Sequence, residues 1–368
     1  MREGWKYKRW ADVLTIINGK SQKAVESPNG QYPIYGSGGI MGYALDWLCP
    51  ENCVIIGRKG NINKPLFVES KFWNVDTAFG LSANQECLIP KYLFYFCLDY
   101  NFERHNRAVT IPSLTKIDLL KVKMLVPPKP TQLSIVSELD KLNELIQIKK
   151  EQLKDYDALA QSIFYEMFGD PVVNEKGWEV KTLGDICEIT SSKRVFANEY
   201  VDTGVPFYRS KEVIEKSKQL PISVELYISE SHYNKIKSSF GVPQIGDILV
   251  TAVGTIGKIW VVDTNEPFYF KDGNLVWLRN IKGAHCEYFR YSLFYLIDEY
   301  KKVNANGAAY NALTIAKLKL MLCPLPPLSL QQSFAHKIEQ IERQKAAVQS
   351  TITDLETLLA ARMQYWFD

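Results

Sequence analysis

The stretch Gly177-Trp178-Glu179-Val180-Lys181 repeats Gly4-Trp5-Lys6-Tyr7-Lys8 within the 368-residue chain, and this repetition is the first indication of its architecture. At the same spacing along the chain, Val205-Pro206-Phe207-Tyr208 corresponds to Tyr32-Pro33-Ile34-Tyr35. A fixed internal period is the mark of a repeated structural unit. The sequence therefore predicts two copies of one unit.

Two later pairs of segments keep the same order. Val54-Ile55-Ile56 with Gly60-Asn61-Ile62-Asn63-Lys64 corresponds to Ile248-Leu249-Val250 with Gly254-Thr255-Ile256-Gly257-Lys258. Val126-Pro127-Pro128 with Gln132 corresponds to Leu325-Pro326-Pro327 with Gln331. The spacing between the copies is larger for these pairs than for the first ones, so the second copy contains an insertion before Ile248.

Each copy ends in a long amphipathic helix that begins after its proline pair. Residues at alternating steps of three and four form matching stripes, Leu139, Leu142, Ile146, Lys149, Leu153, Tyr156, Ala160, Ile163 and Met167 in the first copy and Ile338, Ile341, Lys345, Val348, Ile352, Leu355, Leu359, Arg362 and Trp366 in the second. A 3.5-residue repeat is typical of helices that pack along a seam. We expect the two helices to pair with each other, although each could instead pack only on its own domain.

Short apolar runs between the helices predict mixed α/β domains. Residues 53–56, 66–68, 247–250 and 258–262 fit strands, and residues 91–101 and 287–303 fit helices. The predicted fold class is α+β, with two mixed α/β domains in pseudo-twofold arrangement, separated by two long antiparallel helices that form a coiled coil. The predicted segments are 1–128, 129–170, 171–327 and 328–368.

Composition and motifs argue against membrane insertion, export and catalysis. No run approaches the roughly 18 apolar residues of a membrane span. The seven scattered cysteines indicate a reduced, cytoplasmic protein, in which Cys49 and Cys53 are packing residues rather than metal ligands. The Gly-rich stretch 36–42 lacks the dinucleotide-binding spacing, because Met41 stands where the third glycine belongs. The four histidines belong to no nucleophile or metal constellation, so we expect no active site.

Three motifs in this order carry a family resemblance. They are Gly177-Trp178-Glu179-Val180-Lys181-Thr182-Leu183-Gly184-Asp185, Asp247-Ile248-Leu249-Val250-Thr251 before Gly254-Thr255-Ile256-Gly257-Lys258, and Pro324-Leu325-Pro326-Pro327-Leu328-Ser329-Leu330-Gln331-Gln332. Together they resemble the specificity (S) subunits of type I restriction–modification enzymes, over essentially the whole chain.

The resemblance implies a non-catalytic DNA-reading subunit. Each globular domain would be a target recognition domain for one half of a split site in double-stranded DNA. The helices would act as a spacer and as the docking surface for two methyltransferase subunits, which a restriction subunit joins. No cofactor is expected on this chain, since S-adenosylmethionine would be bound by the partner methyltransferase.

Basic and amide-rich turns at equivalent places in the two copies are the candidate DNA contacts. Glycine lets the backbone approach phosphate, lysine and arginine neutralise it, and asparagine can pair with adenine edges. The first copy offers Lys20, Lys23, Tyr35, Arg58, Lys59, Asn61, Asn63, Lys64, Arg104 and Arg107. The second copy offers Ser192, Lys193, Arg194, Tyr208, Arg209, Lys211, Thr251, Thr255, Lys258, Asn306, Tyr310 and Asn311.

Two other interpretations remain open at this point. Each turn could be an ordinary solvated loop. Residues 73, 74, 76, 271 and 272 are weaker candidates for DNA contact, because the aromatic residues around them fit a domain core. The whole chain could also be a duplicated scaffold that binds proteins through its coiled coil and ignores nucleic acid.

Overall fold

The computed structural model describes residues 4–106, 111–304 and 312–368. The chain divides into two compact units, the first made of Met1–Gln152 with Val348–Asp368 and the second of Leu153–Ala347. Each long helix therefore contributes one part to each unit. The division into four consecutive segments stays a prediction.

The first unit contains a four-stranded antiparallel sheet in the order β2-β8-β5-β6, a three-stranded sheet in the order β4-β3-β7, and the antiparallel pair β1-β9. Its strands are β1 (Lys6–Arg9), β2 (Leu14–Asn18), β3 (Tyr32–Gly36), β4 (Gly39–Ala44), β5 (Cys53–Gly57), β6 (Leu66–Val68), β7 (Trp73–Asn74), β8 (Ala78–Ala83) and β9 (Lys123–Val126). Its helices are α1 (Trp10–Val13), α2 (Pro90–Asp99), α3 (Lys116–Leu119) and the first part of α4 (Lys129–Phe168), with a 3₁₀ turn at Phe102–His105.

The second unit repeats this plan with an enlarged second sheet. Its sheets have the orders β11-β18-β15-β16 and β12-β14-β13-β17, and β10 pairs with β19. Its strands are β10 (Glu179–Thr182), β11 (Glu188–Thr190), β12 (Tyr200–Val201), β13 (Val205–Tyr208), β14 (Tyr227–Ile228), β15 (Ile248–Thr251), β16 (Ile259–Val261), β17 (Tyr269–Phe270), β18 (Leu275–Arg279) and β19 (Leu322–Leu325). Its helices are α5 (Leu183–Ile186), α6 (Ser210–Ser217), α7 (Glu230–Ser239), α8 (Cys286–Val303), α9 (Ile315–Leu320) and the first part of α10 (Leu328–Phe367), with a 3₁₀ turn at Ala197–Glu199.

The predicted fold class is confirmed in its mixed α/β domains and its two long helices. The predicted strands and shorter helices lie within two residues of β5, β6, β15, β16, α2 and α8. The insertion of the second copy is the segment between β13 and β15, which forms α6, β14 and α7. In the first copy the corresponding segment, between β3 and β5, forms only the hairpin strand β4.

Within each unit the two long helices run antiparallel. In the first unit, Lys150 Nζ lies 2.7 Å from Glu356 Oε1, and Glu138 near the start of α4 pairs with Arg362 near the end of α10. In the second unit, Lys345 Nζ lies 2.8 Å from Asp157 Oδ1. Every position of the predicted stripes is buried or half-buried, as a shared seam requires.

A buried glutamine joins the start of each long helix to its own domain. Gln132 Oε1 accepts a hydrogen bond from the Ile89 amide at 2.8 Å, and Gln132 Nε2 donates to the Cys87 and Pro127 carbonyls. Gln331 makes the same set of bonds in the second unit, with the His285 amide and the Gly283 and Pro326 carbonyls. These side chains pair with buried backbone groups between the last strand of each domain, β9 or β19, and the long helix that follows it. The glutamine shared by the two copies therefore stabilises the fold.

Candidate nucleic-acid interface

The turn that follows β5 presents most of the predicted cations of the first unit. Lys59, Asn61 and Lys64 are exposed, and Arg58 is half-buried with its guanidinium 5.7 Å from the Phe79 ring. Gly60 has a φ of +77°, which a residue with a side chain rarely adopts. The tight turn thus places the side chains of Lys59, Asn61 and Lys64 on the surface of the domain.

Backbone hydrogen bonds connect this turn to two neighbouring loops. The Arg58 amide donates to the Thr77 carbonyl at 2.8 Å, and the Arg58 carbonyl accepts from the Leu114 amide at 2.9 Å. The Gly60 amide donates to the Pro112 carbonyl at 3.1 Å. Three loops that are distant in sequence therefore form one continuous surface in the first unit.

The side chain of Asn63 is hydrogen-bonded to the loop at residues 101–102 and is not free to bind DNA. Its Oδ1 accepts from the Phe102 amide at 2.8 Å, and its Nδ2 lies 3.3 Å from Asn101 Oδ1. This contact holds the turn that carries Arg104, whose guanidinium lies 6.0 Å from the Tyr100 ring. Asn63 is thus a positioning residue for the basic turn beside it.

The loop after β2 joins the same surface through β7. The Lys20 amide donates to the Asn74 carbonyl at 3.0 Å, and Trp73 Nε1 donates to the Lys20 carbonyl at 3.1 Å. Lys20 and Lys23 are exposed, whereas Trp73 and Asn74 are buried, as expected for core residues. Tyr35 is half-buried with its edge toward Phe72, and burial raises the pKa of its hydroxyl.

The matching turn of the second unit is built around Thr251. This side chain is fully buried, donates to the Thr255 carbonyl and accepts from the Lys258 amide at 2.9 Å. Thr255 and Lys258 are exposed. Thr251 therefore shapes the turn from inside, and only its two neighbours face outward.

The two turns have the same framework but different side chains. In the second unit the Ala252 amide donates to the Asn274 carbonyl at 2.8 Å, and the Ala252 carbonyl accepts from the Leu313 amide at 3.0 Å. These bonds match those of Arg58 in the first unit. The second unit thus has the methyl side chain of Ala252 at the position where the first unit has Arg58.

The predicted loop at residues 192–194 packs against the segment that follows β17. Arg194 Nε donates to Asp272 Oδ2 at 2.8 Å, and the Lys193 amide donates to the Tyr269 hydroxyl at 2.6 Å. Lys193 is exposed, whereas Ser192 is buried and its hydroxyl has no partner among the described residues. Asp272, a weak candidate from sequence, is therefore a member of this surface as the ion-pair partner of Arg194.

Tyr208, Arg209 and Lys211 are engaged inside the second unit. The Tyr208 ring is buried and stacks on Phe268 at a centroid distance of 4.8 Å. Arg209 pairs with Glu212 at 2.8 Å and with Glu225 at 2.9 Å, and Lys211 pairs with Glu225 at 2.8 Å. The hydrogen bonds that Arg209 donates to Glu212 and to Glu225 raise the pKa of Arg209, the one to Glu212 most, and the hydrogen bond from Lys211 lowers the pKa of Glu225. Both cations are thus already neutralised by carboxylates.

Four predicted contacts lie outside the described residues, namely Arg107, Asn306, Tyr310 and Asn311. Within residues 4–106, 111–304 and 312–368, no group of three or more His, Cys, Asp or Glu side chains is arranged to hold a metal ion. In that same part of the chain, no helix has both the length and the apolar character needed to cross a membrane.

The family relationship comes from sequence comparison. A family model described as the type I restriction modification DNA specificity domain matches residues 2–155 and 175–357. A Haemophilus influenzae protein that bears the name of a type I restriction enzyme specificity subunit is 26% identical over 343 residues, covering 90% of this chain and 86% of that protein.

Two solved structures share the fold. The S subunit of a type I restriction–modification system from M. genitalium aligns with a TM-score of 0.57 at 15% identity, covering 99% of this chain and 96% of that one. A chain from a study of complex assembly and conformational transition of the type I R–M system aligns with a TM-score of 0.61 at 20% identity, covering 99% and 97%.

Proposed function

This chain belongs to the type I restriction–modification DNA specificity family, and on that premise we propose that it reads a bipartite DNA target with one globular domain on each half-site. The supporting observation is the pair of equivalent turns after β5 and β15. The same backbone hydrogen bonds hold both turns, but Arg58 stands in one and Ala252 in the other. A common framework with different side chains suits the reading of two unlike sequences.

The charge of the first turn supports contact with a polyanion. Lys59, Lys64 and Arg104 are exposed and have no carboxylate partner among the described residues. Cations that are free in the unbound protein can neutralise phosphates without first losing an ion pair, and counterion release then favours binding. We assign these three to the DNA backbone and the exposed amide of Asn61 to a base edge.

The outer face of α4 in the first unit suits a methyltransferase subunit. Leu133, Leu145 and Ile148 of α4 are 55%, 45% and 54% exposed on the first unit. Apolar side chains on an otherwise polar rod are a common feature of protein interfaces. We assign this face to one methyltransferase subunit, and from the family we expect a second methyltransferase subunit on the second unit, with a restriction subunit joining the assembly. S-adenosylmethionine would be held by the methyltransferase, which transfers the methyl group to adenine.

The test is to map adenine methylation in a host that expresses this chain together with an N6-adenine methyltransferase. We expect a two-part motif that disappears when this chain is omitted. Lys59→Gln with Lys64→Gln should weaken modification, whereas Lys123→Gln on β9 serves as the control for charge removed elsewhere. A stable complex that methylates without sequence preference would contradict the proposal and favour a scaffold.

A further inference from the structure

Helix α7, Glu230–Ser239, lies in the segment in which the second copy differs most from the first. It folds as a helix because the Ser229 side chain accepts from the His232 amide at the amino end and because Tyr233 and Ile236 bury one face. Gly241, with a φ of +89°, ends it by donating its amide to the Ile236 carbonyl. The helix is thus fixed to the domain by one side only.

The opposite side of α7 is polar and exposed. Ser231, Asn234, Lys235 and Ser238 are all exposed and lie at positions i, i+3, i+4 and i+7, so they form one stripe along the helix. Amide, hydroxyl and ammonium groups are the side chains that read base edges and phosphates in DNA. The stripe contains no carboxylate.

The cations of α7 differ from three candidate DNA contacts of the second unit in having no acidic partner. Arg194, Arg209 and Lys211 are each paired with a carboxylate at 2.8 Å. Lys235 and Lys237 have no such partner among the described residues. Lys235 and Lys237 are therefore available to an incoming polyanion without first losing an ion pair.

Helix α7 packs beside the loop that carries the candidate contacts Lys193 and Arg194. Tyr233 and Ile236 share one buried cluster with Val195 and Tyr269, and the Tyr269 hydroxyl accepts from the Lys193 amide. His232 Nδ1 also lies 3.8 Å from Glu199 Oε1, at the end of that loop. The exposed stripe thus extends the surface that the loop begins.

We propose that α7 is the recognition helix of the second domain and lies in the major groove of its half-site. A helix about 10–12 Å across fits a major groove about 12 Å wide. Asn234 pairs with the edge of an adenine, and Lys235 contacts the DNA backbone. This inference rests on the proposed function and adds the element that specifies one half of the target.

The test uses the full chain in complex with its methyltransferase on a library of random-sequence duplexes. For Asn234→Ala we expect the preference at one position of one half-site to fall roughly ten-fold, with the other half-site unchanged. Lys235→Gln should keep the motif but reduce the slope of log affinity against log salt by about 1. Lys319→Gln, an exposed lysine on α9, is the matched control and should do neither. Thermal melting confirms that each variant is folded.

The outcomes separate the two proposals. A two-part motif for the wild-type complex, together with Asn234→Ala and Lys235→Gln variants that behave like Lys319→Gln, overturns the role of α7 and leaves DNA reading in place. A folded wild-type complex that has no motif overturns the proposed function and the role of α7 with it. Relaxation of the motif at one position supports both.

Discussion

Trp5 and Trp366 stack with their ring centroids 6.1 Å apart and their planes 9° from parallel, although they lie near opposite ends of the chain. The Phe367 ring packs in the same core, with its centroid 5.2 Å from that of Tyr92 and 6.1 Å from that of Phe96. The carboxyl end of α10 is therefore part of the first unit. The last residues of the chain stabilise the domain that its first residues begin.

Replacement of Phe367 by alanine should destabilise the first unit by about 2 kcal/mol, because a half-buried ring is removed from an aromatic core. Gln364→Ala, an exposed residue one turn earlier, is the control and should change little. Denaturant unfolding with tryptophan fluorescence measures both variants. An equal midpoint for the two would show that the Phe367 ring contributes nothing to the stability of the first unit.

The Glu138–Arg362 pair should make part of the stability of the first unit dependent on pH. A hydrogen bond from Arg362 lowers the pKa of Glu138 below its ordinary value, and Trp366 Nε1 donates to the same carboxylate at 3.2 Å. This contribution is fully present above the pKa of the unfolded chain and is lost as the pH falls through the lower pKa of the folded state. Glu138→Gln should remove at most about 1 kcal/mol at neutral pH and should flatten the acid side of the stability curve.

The long helices and the repeat could be predicted because they depend on residue type and spacing alone. The stripe from Leu139 to Met167 gives the buried face of α4, and the proline pairs give the starts of both helices. Each of these signals is local. A 3.5-residue repeat indicates that a helix packs along a seam, whereas the identity of the partner, the other long helix, comes from the structure.

Residue type and spacing could not predict whether a charged side chain is free to bind DNA or is already paired with another residue of the protein. Arg194 and Asp272 are distant in sequence, yet they meet at 2.8 Å because β11 pairs antiparallel with β18, which places the loop after β11 beside the segment that precedes β18. Arg209, like Arg58, is a basic residue that follows a strand. Its guanidinium, however, forms ion pairs with Glu212 and Glu225. The role of a cation depends on a partner that only the tertiary structure supplies.

Gln132 and Gln331 should be about equally important to their own domains. Each fully buried amide satisfies one backbone amide and two carbonyls. Alanine at either position leaves buried polar groups without partners, which should cost about 2 kcal/mol. Hydrogen exchange would localise the loss to residues 87–89 in one variant and 283–285 in the other, and protection that falls throughout the chain would contradict separate anchoring.

Thr251→Val should disturb the second turn although valine has nearly the same shape. The hydroxyl donates to the Thr255 carbonyl and accepts from the Lys258 amide, so its loss should cost about 1–2 kcal/mol. Thr255→Val changes an exposed side chain and is the control for stability. If the Thr251→Val variant melts at the wild-type temperature, the hydroxyl does not hold the turn.

Asn61 and Asn63 provide the sharpest test of the first recognition surface, since the sequence gives no reason to separate them. Asn61 is exposed and has no side-chain hydrogen bond among the described residues, whereas the Asn63 amide accepts from Phe102 and reaches Asn101. Asn61→Ala should leave the melting temperature unchanged and relax the motif at one position of the first half-site, by roughly ten-fold. Asn63→Ala should lower stability by about 1–2 kcal/mol and weaken DNA binding without a change in sequence preference. Melting curves and methylation motifs of the two variants, measured on the complex with its methyltransferase, distinguish a residue that reads DNA from one that positions its neighbours. If Asn61→Ala left the motif intact, base reading by Asn61 would be excluded, while the lysines of this turn could still bind phosphate.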